Sequence, residues 1–259
     1  QSGIPYEIKF VHFHGGEISE GSIDDIYRNQ ISLASTLHFV ASLKNKRKLT
    51  KLLGSKDNIF NVGSLSLSKI DSITIPDWKN VCADFKINNK TFVLVTFHPE
   101  TVGLGKNKIY IKIIKNILIE LSNHINIIIT QSNADGGGSL YRDMFKKLSI
   151  QFKNKIDLVD SFGKYNYFSA LNNCKFLLGN SSSGIIEAAS FKKMVINVGD
   201  RQKGRFRDKN IIDVEYNYKK ILDQCVKLAS NKNSNYLGKN MYHKKHTLKN
   251  VIKKLFINE

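Results

Sequence analysis

Short runs of Val, Ile, Leu and Phe recur along the chain at 7–13, 37–41, 59–62, 92–97, 125–130, 156–159, 176–178, 194–198 and 211–214. Several are apolar at almost every position, as in Phe92-Val93-Leu94-Val95 and Ile127-Ile128-Ile129. Strands covered on both faces read this way, and such strands belong to parallel sheets. Between them lie stretches with helical spacing, at 24–35, 47–53, 108–121, 140–152, 165–171, 184–191, 218–229 and 239–255. Strand and helix alternating throughout predict an α/β fold with a doubly wound sheet.

The alternation breaks only at 63–90, where a Ser-rich stretch is followed by the Ile75-Pro76 step and no long helical pattern. This puts a domain boundary near 70–80, dividing the chain into 1–72 and 73–259. The second piece is large enough for a complete α/β domain. The first carries only two or three strands, fewer than a stable sheet usually has. Either a further segment precedes Gln1 or this piece packs as an appendage.

With 41% apolar and 24% charged residues, the 259-residue chain is neither disordered nor fibrous. No apolar run nears the roughly 18 residues of a membrane helix, and the first residues have no signal-peptide pattern. Cys82, Cys174 and Cys225 are far apart, without zinc or disulfide-framework spacing, which suits a reducing cytoplasm. The net charge of +18 admits three readings: nucleic-acid binding, handling of anionic small molecules, or solvated surface lysine in a chain crowded with Lys, Asn and Ile. No zinc finger, RRM-type strand or other nucleic-acid motif accompanies the charge.

Five polar clusters follow predicted strands. Gly179-Asn180-Ser181-Ser182-Ser183-Gly184, with Glu187 about one turn on, follows a buried strand and opens a helix. Small residues and free N–H groups there favour phosphate, and Glu187 could take ribose hydroxyls; a plain Ser-rich N-cap has the same appearance. After the strand at 194–198 come Gly199-Asp200-Arg201-Gln202-Lys203-Gly204-Arg205, whose three cations suit a diphosphate on the strand-end rim, or form a solvated basic loop. Gln131-Ser132-Asn133-Ala134-Asp135 with three following glycines suits a loop close to a ligand, or a flexible turn. Thr96-Phe97-His98-Pro99 puts a histidine at a strand end, where it can meet phosphate, act as acid or base, or be structural. In His12-Phe13-His14-Gly15-Gly16-Glu17, followed by Asp24-Asp25 and Arg28, carboxylates and histidines crowd together as proton transfer requires. Strand alternation would put both histidines on one face, yet no third metal ligand is evident. Asp24 and Asp25 equally suit a helix N-terminus.

Taken in order, these clusters, with Leu37-His38-Phe39 and Val62-Gly63-Ser64-Leu65, resemble the UDP-N-acetylglucosamine 2-epimerase family, above all its hydrolysing bacterial branch in sialic and legionaminic acid synthesis. The resemblance covers almost the whole chain. It implies a GT-B-like fold of two Rossmann-like domains, the first incomplete in this chain, with UDP held mainly by the second. It assigns His98 and Arg201 to the diphosphate region, His98 with a part in catalysis. Ser181 and Ser182 would cradle phosphate, Glu187 would hold ribose, and Asn133 and Phe162 would line the nucleotide pocket. Glu17, Asp25 and Arg28 would face the sugar, the two carboxylates as acid and base, with His14 beside them.

Two departures stand out. The family often has Arg-His where this chain has Arg28-Asn29, and some relatives carry a carboxylate at the position of His14. The family also has a further segment before the strand at 7–13, bearing a Gly-rich loop and an acidic catalytic residue. The chain is therefore expected to be a C-terminal portion of the enzyme.

The implied reaction eliminates UDP and then hydrates the product, with no metal or cofactor. The implied partners are a UDP-sugar and further copies of the chain in a dimer or higher oligomer, with no nucleic acid and no membrane. The alternatives are a non-hydrolysing epimerase, a GT-B glycosyltransferase and an inactive UDP-binding fragment.

Overall fold

The structure is a computed structural model that describes residues 3–20, 24–100, 104–131 and 138–256. The chain forms two compact units. The first comprises Gln1–Ile73, Gly204–Phe206 and Asn240–Glu259; the second comprises Thr74–Lys203 and Arg207–Lys239. The sequence expectation assigned 204–206 and 240–259 to the second domain instead, because hydrophobic periodicity does not reveal which core a helix packs on.

In the first unit, β1 (Val11–Phe13), β2 (Leu37–Val40) and β3 (Ile59–Asn61) form a parallel sheet in that order. Helix α1 (Asp24–Ala34) links β1 to β2, and α2 (Leu43–Leu53) links β2 to β3. Ser42 caps α2 by accepting the Asn45 N–H, and Gly54 ends the helix in the left-handed region. All four residues of β2 are buried. Leu37, Phe39 and Val62 pack with Val251, while Val40 packs with Leu49 and Ile59.

The pattern at 7–13 yields a strand only from Val11. Strand β2 begins at Leu37, and upstream of that register Thr36 donates to Phe10 O through its N–H and its hydroxyl. Without a partner strand, the earlier residues turn, and Glu7 adopts φ 55°. The helix expected over 239–255 is likewise shorter. Asn240 Oδ1 accepts the Tyr242 N–H in a turn, and the buried Tyr242 hydroxyl donates to Phe206 O at 2.7 Å. Helix α9 (Thr247–Phe256) begins where the Thr247 hydroxyl donates to Val62 O.

The second unit has a six-stranded parallel sheet in the order β6-β5-β4-β7-β8-β9. The strands are β4 (Phe92–Thr96), β5 (Asn126–Thr130), β6 (Ile156–Val159), β7 (Leu177–Gly179), β8 (Val195–Val198) and β9 (Ile211–Val214). The chain enters at the centre, builds outward through β5 and β6, and returns to build the other half from β7. This strand order is that of the Rossmann fold, with its switch point between β4 and β7.

Helices α4 (Asn107–Leu121), α5 (Gly138–Gln151), α6 (Gly163–Asn173) and α7 (Ser182–Ile186) make the crossovers from β4 to β8, and α8 (Tyr218–Ser230) follows β9. Val93, Val95, Ile127, Ile129, Ile196 and Val198 pack against helix residues such as Ile114, Phe145 and Cys225. One further helix, α3 (Trp78–Phe85), lies within the stretch where no long helix was expected. It is only eight residues long, is capped by Asp77 through the Lys79 and Asn80 N–H groups, and stacks Trp78 on Phe92. The expected helix over 184–191 divides into α7 and a 3₁₀ turn, Ala188–Phe191. No helix among the described residues is long and apolar enough to cross a membrane.

Candidate functional site

Strands β4 and β7 meet unusually closely at their carboxyl ends. Gly179 has φ 154°, and a Cβ there would lie 1.9 Å from Thr96 O. Only glycine lets the two backbones run side by side at this point. The next residue, Asn180, is fully buried and locks the two strand ends together. Its Oδ1 accepts the His98 N–H at 2.8 Å, and its Nδ2 donates to His98 O at 2.8 Å. The Asn180 carbonyl accepts Gln202 Nε2 at 3.0 Å and Arg201 Nη1 at 3.5 Å, which ties in the loop after β8.

Behind this bridge sits Glu100, buried two residues beyond the His98 that the sequence singles out. Burial pushes its carboxyl above the ordinary range, against the Arg201 backbone N–H and the Tyr216 hydroxyl that donate to it. Asn107 bonds both the N–H and the C=O of Glu100, and Tyr110 stacks on Tyr216 at 3.7 Å. These groups form a fixed polar support beneath the strand ends.

A cavity of about 510 Å³ opens at the switch point. Pockets for small ligands typically fall between roughly 300 and 1,000 Å³. Of the residues singled out from sequence, His98, Phe162, Ser181 and Glu187 line it. Thr96, Thr130, Asp160, Lys164, Tyr167 and Ser183 line it as well. The Tyr167 and Ser183 hydroxyls are 2.6 Å apart, and burial, reinforced by Glu187, raises the Tyr167 phenol. Ser181 accepts the Ser183 N–H as N-cap of α7. Phe162 packs its ring on Phe85 and Trp78, so it walls the cavity as part of an aromatic cluster. Ser182 and Arg201 do not line this cavity: Ser182 opens α7, and Arg201 rests against the Asn180 carbonyl. Asn133 lies outside the described residues.

In the first unit, the loop after β1 and the start of α1 gather His14, Glu17, Asp25 and Arg28. His14 sits at φ 64°, which ends the strand alternation and parts it from His12. His14 Nδ1 is 2.7 Å from Glu17 Oε1, and Arg205 Nη1 is 2.8 Å from Glu17 Oε2. Burial works to raise the Glu17 carboxyl, but the His14 hydrogen bond and the Arg205 charge prevail and hold it below the ordinary range. Asp25 Oδ1 takes the Ser19 N–H, the Ser19 hydroxyl and Arg28 Nη1, the last at 2.6 Å. Arg28 also reaches the Glu17 carbonyl at 3.4 Å.

His12 turns instead to the buried Ser32 hydroxyl at 3.0 Å. Among the described residues, no group of three or more His, Cys, Asp or Glu could hold a metal ion. The sequence expectation for Arg205 needs correction. It does not join Arg201 and Lys203 on a rim of the second unit, because Gly204–Phe206 belongs to the first unit and the guanidinium pairs with Glu17. Sequence spacing shows no link between residues so far apart.

Parallel sheets, the Rossmann strand order and a cavity at the switch point define an α/β protein of GT-B-like fold. The sequence pattern of the UDP-N-acetylglucosamine 2-epimerase family matches residues 1–256, and the chain belongs to that family. It is 37% identical over 227 residues to a GDP/UDP-N,N′-diacetylbacillosamine 2-epimerase (hydrolyzing) of Campylobacter jejuni, covering 87% of this chain and 58% of that protein. It is 35% identical over 223 residues to a UDP-N,N′-diacetylbacillosamine 2-epimerase (hydrolyzing) of Legionella pneumophila, covering 85% of this chain and 58% of that protein. The chain thus spans little more than half the length of these relatives. The crystal structure of a Neisseria meningitidis UDP-GlcNAc 2-epimerase bound to UDP-GlcNAc shares the fold, with TM-score 0.77 at 17% identity, over 99% of this chain and 72% of that one.

Proposed function

We propose that this chain carries the UDP pocket and a proton-transfer cluster of a hydrolysing UDP-sugar 2-epimerase in the cytoplasm. Its substrate is UDP-N,N′-diacetylbacillosamine or the simpler UDP-N-acetylglucosamine, on the route to legionaminic- or sialic-type acids. A base takes the C2 proton while the C1–O bond breaks and UDP leaves, giving a 2-acetamidoglucal. Water then adds at C1 and a proton returns to the opposite face of C2, releasing free sugar of the N-acetylmannosamine type.

The observation that carries this reading is the switch-point cavity, with hydroxyls, His98 and Glu187 converging at strand carboxyl ends in a chain of this family. His98 and Ser181 receive the diphosphate, with Arg201 and Ser182 at its margin, and Glu187 takes the ribose hydroxyls. Phe162 walls the nucleotide pocket. Glu17, Asp25, Arg28 and His14 serve the sugar and its proton, where a positioned acid or base contributes roughly 10²–10⁴-fold.

The test incubates the protein with each UDP-sugar in D₂O and follows the products by NMR. Free UDP and a free sugar deuterated at C2 are expected. An intact epimeric UDP-sugar, transfer that needs an acceptor, or UDP binding without turnover would each overturn the reading.

A further inference from the structure

We propose that His14, Glu17 and Arg205 form a proton-relay chain: Arg205 is a positioning residue that holds Glu17 ionised, and Glu17 orients the His14 imidazole that takes the C2 proton. The inference rests on the proposed reaction and assigns its first proton transfer to one ring nitrogen.

Glu17 reaches both neighbours with separate oxygens, Oε1 to His14 Nδ1 at 2.7 Å and Oε2 to Arg205 Nη1 at 2.8 Å. Glu17 is 5% exposed and Arg205 11%, so the pair is shielded from water, whereas His14 is 30% exposed. An ionised carboxylate only accepts, so Nδ1 must carry the proton and Nε2 presents its lone pair. The left-handed backbone at His14 turns the residue out of strand alternation and toward Glu17, a conformation a non-glycine residue keeps only when its surroundings hold it.

Arg205 is fixed from both sides. A Cβ on Gly204 would lie 2.3 Å from Ile18 Cγ2, so this backbone is pressed onto the loop that follows Glu17. On the other side, Phe206 O accepts the Tyr242 hydroxyl, and Lys44 lies over the Phe206 ring. In the first stage, His14 Nε2 takes the C2 proton, the C2–H electron pair becomes the C1=C2 double bond, and the C1–O pair departs with UDP. The returning proton comes from another group, because it arrives on the opposite face.

Among the described residues, the charged groups that act on Glu17 are His14 and His12 from the β1 segment, Arg28 on α1 with Asp25 beyond it, and Arg205. Removing Arg205 takes away one of the groups that, with His14 and Arg28, offset burial at Glu17, so the acidic limb of kcat/KM moves to higher pH. In Arg205→Gln, kcat falls by about 100-fold while UDP inhibition changes by less than about twofold; Arg205→Lys, or methylguanidinium added to Arg205→Ala, recovers about tenfold. Weakened UDP inhibition with kcat preserved would make Arg205 a diphosphate ligand and overturn the proposal, as would undiminished kcat in His14→Gln. Nitrogen-15 NMR of the His14 ring is independent of turnover. An Nδ1–H tautomer is expected in the unaltered protein, and an Nε2–H tautomer would sink the chain even if the epimerase reaction were sound. Failure of the reaction with the expected tautomer would instead count against the proposed function alone.

Discussion

Asn180 and His98, 82 residues apart, exchange two hydrogen bonds of 2.8 Å between one side-chain amide and one backbone unit. The amide thereby takes the place of a strand pairing at the point where β4 and β7 end. Asn180→Ala would remove both of these bonds from a buried N–H and C=O, each loss costing about 1–3 kcal/mol. A loss of about 3 kcal/mol in urea unfolding is expected, together with weaker UDP binding by calorimetry because His98 would no longer be held at the cavity. Unchanged UDP affinity in a folded variant would separate the bridge from the site.

Gly179 makes the same junction possible from the backbone side. Gly179→Ala forces a Cβ to within 1.9 Å of the Thr96 carbonyl, a contact no rotamer relieves. The second unit is expected to lose several kcal/mol or fail to fold, as seen in thermal unfolding. Gly105→Ala is the control, since its Cβ meets nothing within 4 Å and its melting temperature is expected to hold.

The strands of the second unit are legible in the sequence because layers of helix on both faces demand Val, Ile, Leu and Phe at every position, as in Phe92-Val93-Leu94-Val95. Their order is not, since hydrophobic runs do not say on which side of β4 the chain returns. The clusters after β4 and β7 are legible because phosphate and ribose chemistry needs small residues, hydroxyls and a carboxylate in short succession. What joins them is hidden: Asn180 looks like one more residue of a Ser-rich turn until its partner is known. Tyr167 and Thr130 reach the cavity from elements whose spacing reads as ordinary helix and strand. Arg205 reads as part of a basic rim beside Arg201 and Lys203, because three residues of a basic loop carry no mark of the compact unit they join.

The cysteine thiols are all buried, and burial pushes Cys82 up to about 11, with Cys174 and Cys225 up to about 12. Thiolate is the reactive form, so the folded protein is expected to give no fast reaction with a disulfide reagent at neutral pH. All three should react in denaturant, and a fast-reacting thiol in the native protein would show that one of these sites opens readily.

His12 makes stability depend on pH in a defined direction. Burial lowers its pKa from 6.5 to about 4, with His38 and Arg28 adding to the effect. The unfolded state therefore binds the proton more readily, and His12's contribution is complete above about pH 6.5 and is lost as pH falls toward about 4. That difference amounts to about 3 kcal/mol at most. Urea midpoints are expected to fall across this window in the unaltered protein and to fall less steeply in His12→Gln, which keeps a polar partner for Ser32. Parallel slopes in the two proteins would remove His12 as the cause.

Glu187 offers the most direct test of the nucleotide pocket. Its carboxylate lies at the end of α7 on the cavity wall, one turn on from Ser183. A carboxylate facing a ribose accepts from its hydroxyls, and bonds to a charged group are worth roughly 1.5–3 kcal/mol. Calorimetry should therefore find 2′-deoxy-UDP bound about tenfold more weakly than UDP by the unaltered protein. Glu187→Ala should weaken UDP, which loses both hydroxyl contacts, more than 2′-deoxy-UDP, which loses only the 3′-hydroxyl contact, so that the two ligands converge. The pair of ligands matters more than either affinity alone: general damage to the pocket lowers both together, whereas loss of one specific acceptor abolishes the difference between them. Preserved discrimination in a folded Glu187→Ala protein would place the ribose against another group.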